Sequence, residues 1–459
     1  MAGTYQTYSE YKDSGVKWLD AIPADWVVSK VKHLTDFQVG WTPPTKVDAN
    51  FIGDNLWANI SDLRSKYIDC TGKNISDEAA KTASMEITPK GSLLYSFKLS
   101  VGAVSFARQN MYTNEAIASF LEGGLLPLSY MYYALPKFVI ENASTNIYGA
   151  RILNQELINN ALLLKPSYAE AEKIATFLDH ETACIDILIE KQQQLIKLLK
   201  EKRQSVISHA VTKGLNPNAP MRDSGVEWLG EVPEHWATLP LKLVVKTRKG
   251  VAFKSVDFCD NGIRVVKASD IKEKTIRATD VFLPQAFVKE YPKALLNSGD
   301  IILSTVGSNP DVRNSAVGQI GIVPADLYGT LLNQNTVVFD PNEGRVLREY
   351  LFYILQMEGY RDHLDLHAHG TANQSSLSIA DMLNFNICFP PIAEQREICQ
   401  HLLQQQKKLG DLESKSGNSG ILLTERRTAL ISAAVTGKID VRNWQAPETS
   451  NTNYKEVAA

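Results

Sequence analysis

Three histidines, His363, His367 and His369, fall in one run, Asp362–His369, and are the side chains here best suited to holding a metal. Histidines four apart share a helix face, a spacing that zinc sites use. A tetrahedral site needs four ligands, however. No fourth is evident, and the first half of the chain has no matching cluster, so no metal is expected and a surface or DNA-facing loop is the better reading. A second chemistry is phosphate binding. His235–Val256 contains no acid yet carries Lys242, Lys246, Arg248, Lys249 and Lys254. Ile87–Asn114 is also free of acids and carries Lys90, Lys98 and Arg108; Lys46 completes the candidate DNA-binding set. Cations of this kind contact nucleic-acid backbones, the plainer alternative being a solvated surface strand. Covalent chemistry has no foothold. The sequence lacks an Asn/Asp-Pro-Pro-aromatic motif, a GxGxxG opening a βαβ unit and a GxxxxGK[ST] loop, and acids such as Asp311 beside Pro310 form no nuclease set. No catalytic residue is expected.

The elements that must position these residues are written twice. Asp13-Ser14-Gly15-Val16-Lys17-Trp18-Leu19, with Pro23 and Trp26, returns as Asp223-Ser224-Gly225-Val226-Glu227-Trp228-Leu229, with Pro233 and Trp236. Gly91–Ser96 matches Gly299–Ser304, Tyr130–Tyr133 matches Tyr350–Tyr353, and Glu201–Arg203 matches Glu425–Arg427. The order of landmarks never changes, which makes the chain two copies of one module. The paired tryptophans beside Pro23 and Pro233 read as a packed structural clip, not as a stacking platform for bases. Each copy opens with short β-rich runs such as Ser92–Phe97 and Ile301–Thr305, broken by Gly, Pro and Asn and by helical stretches such as Tyr350–Met357.

The second part of each copy is a long helix. Tyr168–Thr212 has neither Pro nor Gly, and Gly214 and Pro217 mark its end. A heptad runs along it: Ala171, Leu178, Ile185, Gln192, Leu199 and Val206, interleaved with Ile174, Glu181, Leu188, Leu195, Lys202 and His209. The matching arm, Ile392–Thr436, continues the pattern with Ile398, Leu402, Leu409, Leu412, Leu423 and Leu430. Gly410, Gly417 and Gly420 are expected to fray or kink it. The first arm has apolar residues to spare, Phe177, Ile189, Ile196 and Leu198, which read as a partner-docking surface.

Composition fits this plan. The chain has 459 residues, 44% hydrophobic and 22% charged, with a net charge of −3, so cores are affordable and no global basic excess announces nucleic acid. The five cysteines, Cys70, Cys184, Cys259, Cys388 and Cys399, are scattered and read as reduced thiols of a cytoplasmic protein. The opening residues have no basic and apolar leader pattern, and no apolar run approaches a membrane span.

Taken together, the landmarks resemble the specificity subunit of type I restriction-modification systems. The resemblance rests on the DSGVKWL-type openings, the Gly299–Ser304 strand, Pro390-Pro391-Ile392-Ala393-Glu394-Gln395-Arg396-Glu397-Ile398 entering a long helix, and the helix endings Ile207–Gly214 and Ile431–Lys438. It spans Tyr11 to Trp444; Pro166–Ala171 departs from it by lacking the Pro-Pro-x-x-Glu-Gln form. It implies two tandem α/β (α+β) target recognition domains, spaced by two long antiparallel coiled-coil helices with pseudo-two-fold symmetry. The implied boundaries are 1–165 and 215–389 for the domains, 166–214 and 390–440 for the helices, and 441–459 for a disordered tail. It further implies a non-catalytic subunit, located in the cytoplasm of a bacterium or archaeon and serving phage defence. That subunit reads a bipartite double-stranded DNA target, one domain per half-site, and docks two methyltransferase subunits to direct adenine methylation or restriction. Two restriction/translocase subunits complete the implied assembly. No cofactor is expected in this chain; S-adenosylmethionine, ATP and Mg2+ belong to the implied partners. The alternative is a coiled-coil protein-interaction scaffold that reads no DNA.

Overall fold

The structure is a computed structural model, and it describes residues 5–98, 100–145, 149, 151–277, 280–307, 317–371 and 374–447. Pro310, Asp311 and residues 448–459 of the expected polar tail lie outside the described residues. The chain divides into two compact units, one made of Met1–Gln192 with Asn418–Ala459, the other of Gln193–Gly417.

In the first unit the main sheet has five strands in the order Phe37–Val39, Ile117–Phe120, Leu93–Ser96, Val104–Ala107, Tyr67–Ile68. Its central strand, Leu-Leu-Tyr-Ser, is buried at every position, as an apolar run covered on both faces should be. A second sheet joins Tyr112–Thr113, Asn55–Ala58 and Asn74–Ile75. The globular part is closed by its own ends: Val27–Lys30 pairs antiparallel with Leu162–Lys165, so the strand entering the first arm is tied to the strand that begins the domain.

The second unit repeats this plan. Its main sheet runs Val245–Lys249, Thr336–Pro341, Ile301–Ser304, Ile320–Ile322, Thr275–Ile276, Ile271–Lys272. Its second sheet joins Phe282–Leu283, Ile263–Val266 and Leu331–Leu332, and Ala237–Pro240 pairs with Asn386–Phe389. Even the one parallel pairing of the second sheet recurs: Ala58 faces Thr113 in the first unit, and Val266 faces Leu332 in the second.

The arms are the helices Tyr168–Lys213 and Ile392–Val435. Within the first unit they run antiparallel, Asp186 pairing with Arg427 at 2.8 Å while Lys173 Nζ donates to the carbonyl of Arg442 at 2.6 Å. Within the second, Arg203 pairs with Glu413 at 2.8 Å. Of the expected fraying or kinking of the second arm, fraying does not occur: the helix is continuous through Gly410, Gly417 and Gly420. A glycine costs a helix only about 1 kcal/mol relative to alanine, and burial of Leu402 and Leu430 against the two cores outweighs that. The seam also differs from expectation. Beside Ala171, Leu178 and Ile185, the inward series is Ala175, Thr182, Ile189, Ile196, Arg203 and Ala210, whereas Leu188 and Leu195 are exposed. The sequence carries the adjacent apolar pairs Ile174-Ala175, Leu188-Ile189 and Leu195-Ile196, so either heptad phase satisfies it, and only packing selects one. Leu412 also faces solvent.

The tryptophan clip is a helix-end lock. Trp26 and Trp236 are fully or nearly fully buried, while Trp18 and Trp228 remain partly exposed against Phe138 and Phe385. Pro23 and Trp26 pack on Gly437, just past the end of the second arm, and Pro233 and Trp236 pack on Gly214, just past the end of the first. Both glycines are left-handed (φ +75°), the usual helix-terminating conformation.

Candidate nucleic-acid interface

Strand register fixes which candidate cations share a face. In the first unit Val39 pairs with Ala118, and Ile117 with Ser96. The end of the edge strand, the start of its neighbour and the end of the central strand therefore meet at one end of the main sheet. The connections leaving that end are 40–54 and the stretch after Ser96, and they carry Lys46 and Lys98, both exposed. In the second unit Lys249 pairs with Val337, and Ser304 with Thr336, so the same sheet end carries Lys249 and, on the 250–262 loop, Lys254. A hairpin adds to it there: Val306 pairs with Ser376, and the Leu377 N–H donates to the Thr305 carbonyl at 2.8 Å. Among the described residues no carboxylate lies within ion-pair distance of Lys46, Lys98, Lys249 or Lys254. Free cations and an accessible strand end are what phosphate contact needs.

The remaining candidates lie elsewhere. Lys90 and Arg108 flank the opposite sheet end, where Leu93 pairs with Phe106; Arg108 is paired with Asp69 at 3.4 Å and stacked 4.5 Å from the Tyr67 ring. Lys246 faces Asp340 across the strand pair, and Lys242 donates to Asn384 Oδ1 at 3.1 Å. Arg248 is a correction. Its guanidinium meets Asp300 and Asp340, each at 2.6 Å, so it is an internal ion-pair residue and not a free phosphate ligand. Burial opposes its charge, but the two carboxylates more than offset that and raise its pKa. Both partners are distant in sequence, Asp340 on the paired strand and Asp300 just before Ile301–Ser304.

Lys66 shows how the far end of the first unit's sheet is held. Its Nζ lies 2.5 Å from Asp179 on the first arm and over the Tyr132 ring, and the Tyr133 hydroxyl donates to the same carboxylate at 2.5 Å. Burial and that hydrogen bond raise the Tyr133 pKa. At the corresponding place Lys274 donates to Gln356 Oε1 at 2.7 Å, its pKa lowered by burial and then by Arg203. Lys66 thus ties domain to arm directly, whereas Lys274 holds Gln356, whose backbone carbonyl accepts a hydrogen bond from Gln204 Nε2 of the arm at 2.7 Å.

His363 and His367 place ring nitrogens 2.8 and 2.7 Å from the backbone carbonyls of Asp381 and His363. Among the described residues no group of three or more His, Cys, Asp or Glu side chains could hold a metal, and no helix is long and apolar enough to cross a membrane.

Of the candidate docking residues, Phe177 is corrected to the core: it is fully buried, edge-on to Tyr5 and Trp444. Ile189 and Ile196 are half-buried on the seam face, for the heptad-phase reason given above, and Leu198 is exposed. The apolar side chains that do face solvent, and that the expected phase hid, are Leu188 beside Ile187 in the first unit and Leu195 beside Leu198 in the second.

Residues 23–198 and 233–418 each match the family described as the type I restriction modification DNA specificity domain. The chain belongs to this family. It is a specificity subunit, the non-catalytic kind of component in a type I system. The specificity subunit of the type I restriction enzyme MjaVIII from Methanocaldococcus jannaschii is 24% identical over 441 residues, covering 94% of this chain and 98% of the relative. That of EcoBI from Escherichia coli is 23% identical, covering 72% and 69%. Two solved structures share the fold at 14% identity. One, from a study of complex assembly and conformational transition in the type I R-M system, has a TM-score of 0.69 and covers 91% of this chain and 99% of its own. The other, the HsdS subunit from Thermoanaerobacter tengcongensis, has a TM-score of 0.54 and covers 93% and 100%. Both family matches in this specificity subunit run from the globular domain well into the following arm, so the repeated unit of the family is a domain with its helix attached.

Proposed function

We propose that this specificity subunit reads a bipartite duplex target, each unit contacting one half-site through the lysine-bearing end of its main sheet. The observation that carries this reading is one scaffold with two sets of side chains. Strand order and register recur between the units, yet the loop leaving the edge strand reads Trp41-Thr42-Pro43-Pro44-Thr45-Lys46 in one and Val251-Ala252-Phe253-Lys254-Ser255-Val256 in the other. A rigid framework with divergent loops suits recognition of two different base sequences. In the same reading the arms dock two methyltransferase subunits through the solvent-facing Ile187, Leu188, Leu195 and Leu198, and restriction/translocase subunits join that assembly. S-adenosylmethionine, ATP and Mg2+ then enter with the partners, and this chain supplies the address for adenine methylation or cleavage.

The test is an exchange of residues 14–165 for the same domain of another family member, with target sites mapped on DNA in the presence of methyltransferase subunits. One half-site should change and the other persist. A change in both, or in neither, overturns the modular reading. Absence of any sequence-specific footprint from the unaltered chain favours a protein-interaction scaffold instead.

A further inference from the structure

The loops 40–54 and 250–262 share a construction that goes beyond their position. Each leaves the edge strand at a glycine, Gly40 or Gly250, pressed so closely on the neighbouring turn that a β-carbon would overlap the carbonyl of Thr113 or of Asn333. The next residue locks the base of the loop: the Trp41 N–H donates to the Thr113 carbonyl at 2.9 Å, and the Val251 N–H to the Leu332 carbonyl at 2.9 Å. Each loop then makes one 3-10 turn, Asp48–Phe51 or Ser255–Asp257, before entering the second sheet at Asn55 or Ile263. Internal bonds brace both loops. Asn50 Nδ2 donates to the Pro44 carbonyl at 3.1 Å, and the Lys254 N–H donates to Asp257 Oδ2 at 3.1 Å.

Each of these braced loops carries an exposed cation and an exposed apolar side chain. Lys46 and Lys254 are exposed and have no carboxylate partner among the described residues. Ile52, directly after the first turn, is 74% exposed, and Val256, within the second turn, is 86% exposed. A single exposed apolar residue is ordinary. Here the combination occurs in both units, on the corresponding braced loop of each. Burial in a core does not explain either side chain, whereas the edge of a base pair does: a thymine methyl in the major groove accepts apolar contact, and the adjoining phosphate accepts a cation.

We infer that these two loops are the base-reading elements, with Lys46 and Lys254 on the phosphate backbone and Ile52 and Val256 against base edges, thymine methyls above all. This rests on the DNA-reading function proposed above and names the residues that set its specificity.

The test uses the full chain assembled with its methyltransferase subunits and a library of randomised duplexes, from which bound molecules are selected and sequenced. Val256→Ala should lose about tenfold in preference at one base pair of one half-site, at the scale of a single mismatched pair, and leave the other half-site intact. Ile52→Ala should do the converse. Lys254→Ala should keep both motifs, weaken binding to all sequences alike and lower the log-log salt slope by about one. All three side chains are exposed, so the melting temperature should not move. If Val256→Ala and Ile52→Ala select the unaltered motif, or alter it only by lowering the melting temperature, the loops are not the readers, although DNA reading stands. If the unaltered chain enriches no motif, the proposed function itself fails.

Discussion

Arg248 Nη2 lies 2.6 Å from Asp300 Oδ2 inside the second unit, and Asp300 is held a second time by Arg348 Nη1 at 2.9 Å. Asp300 is almost wholly buried and also accepts the Asn297 N–H at 2.9 Å. Gln38 sits at the corresponding place in the first unit, donating to Thr88, whose hydroxyl donates to Ser119. One unit thus spans its sheet with charges and the other with neutral hydrogen bonds.

Arg248→Ala removes one of two cations on the buried Asp300 and leaves Arg348 in place. It should therefore destabilise the second unit by less than about 3 kcal/mol, the cost of an unpaired buried charge. Denaturant unfolding of the full chain checks this. At temperatures where the variant stays folded, the salt slope of DNA binding should equal that of the unaltered chain. A reduced slope with an unchanged unfolding midpoint would restore Arg248 as a phosphate ligand.

The helix-end locks predict a paired result. At Gly214 and Gly437 an added methyl meets both a left-handed backbone and a filled site, Trp236 and Pro233 in one case and Trp26 and Pro23 in the other. Gly437→Ala and Gly214→Ala should each cost more than the roughly 1–2 kcal/mol of left-handed strain alone. Gly417→Ala has open space and a helical backbone, so it should stabilise the arm by about 1 kcal/mol. Thermal melting of the three variants decides it, and similar shifts in all three would contradict the lock.

Arm docking now has a sharper test. Leu195→Asp with Leu198→Asp alters solvent-facing side chains, so helix content by circular dichroism should hold while methyltransferase co-purification falls at least tenfold. Ile196→Asp alters the seam face and should lower the melting temperature instead. Normal recruitment by the double variant would remove the docking proposal.

The thiols divide by burial. Cys70, Cys184 and Cys259 are exposed, Cys388 is buried, and burial pushes the Cys399 thiol from 9.0 up to about 12, Glu349 adding to the rise. Alkylation at pH 8 followed by mass spectrometry should modify the first three and spare Cys388 and Cys399. A thiol whose pKa is raised by folding stabilises the fold below its unfolded value, so this contribution is complete below pH 9 and is lost as the pH climbs towards 12. Cys399→Ala should remove that part of the alkaline loss.

The sequence alone determined the architecture, because repetition and helix length are local properties. The DSGVKWL-type openings marked two modules, and a run of 45 residues without Pro or Gly allowed a long helix, found as Tyr168–Lys213. Tertiary structure decided everything that depends on which strand or helix comes to lie opposite. The adjacent pairs Leu188-Ile189 and Leu195-Ile196 satisfied two heptad phases equally, and only packing of the arms chose one and turned Leu188 and Leu195 outward. Phe177 read as spare surface until Tyr5 and Trp444, distant in sequence, closed over it. Arg248 stood in a stretch without acids, yet Asp340 on the paired strand and Asp300 from further across the sheet reach it. Lys46 and Lys98 in one unit, and Lys249 and Lys254 in the other, lie at one end of that unit's own main sheet because register brings those strand ends together. Side-chain type is written along the chain; whether a charge is spent or free depends on contacts across it, and those exist only once the sheet has formed.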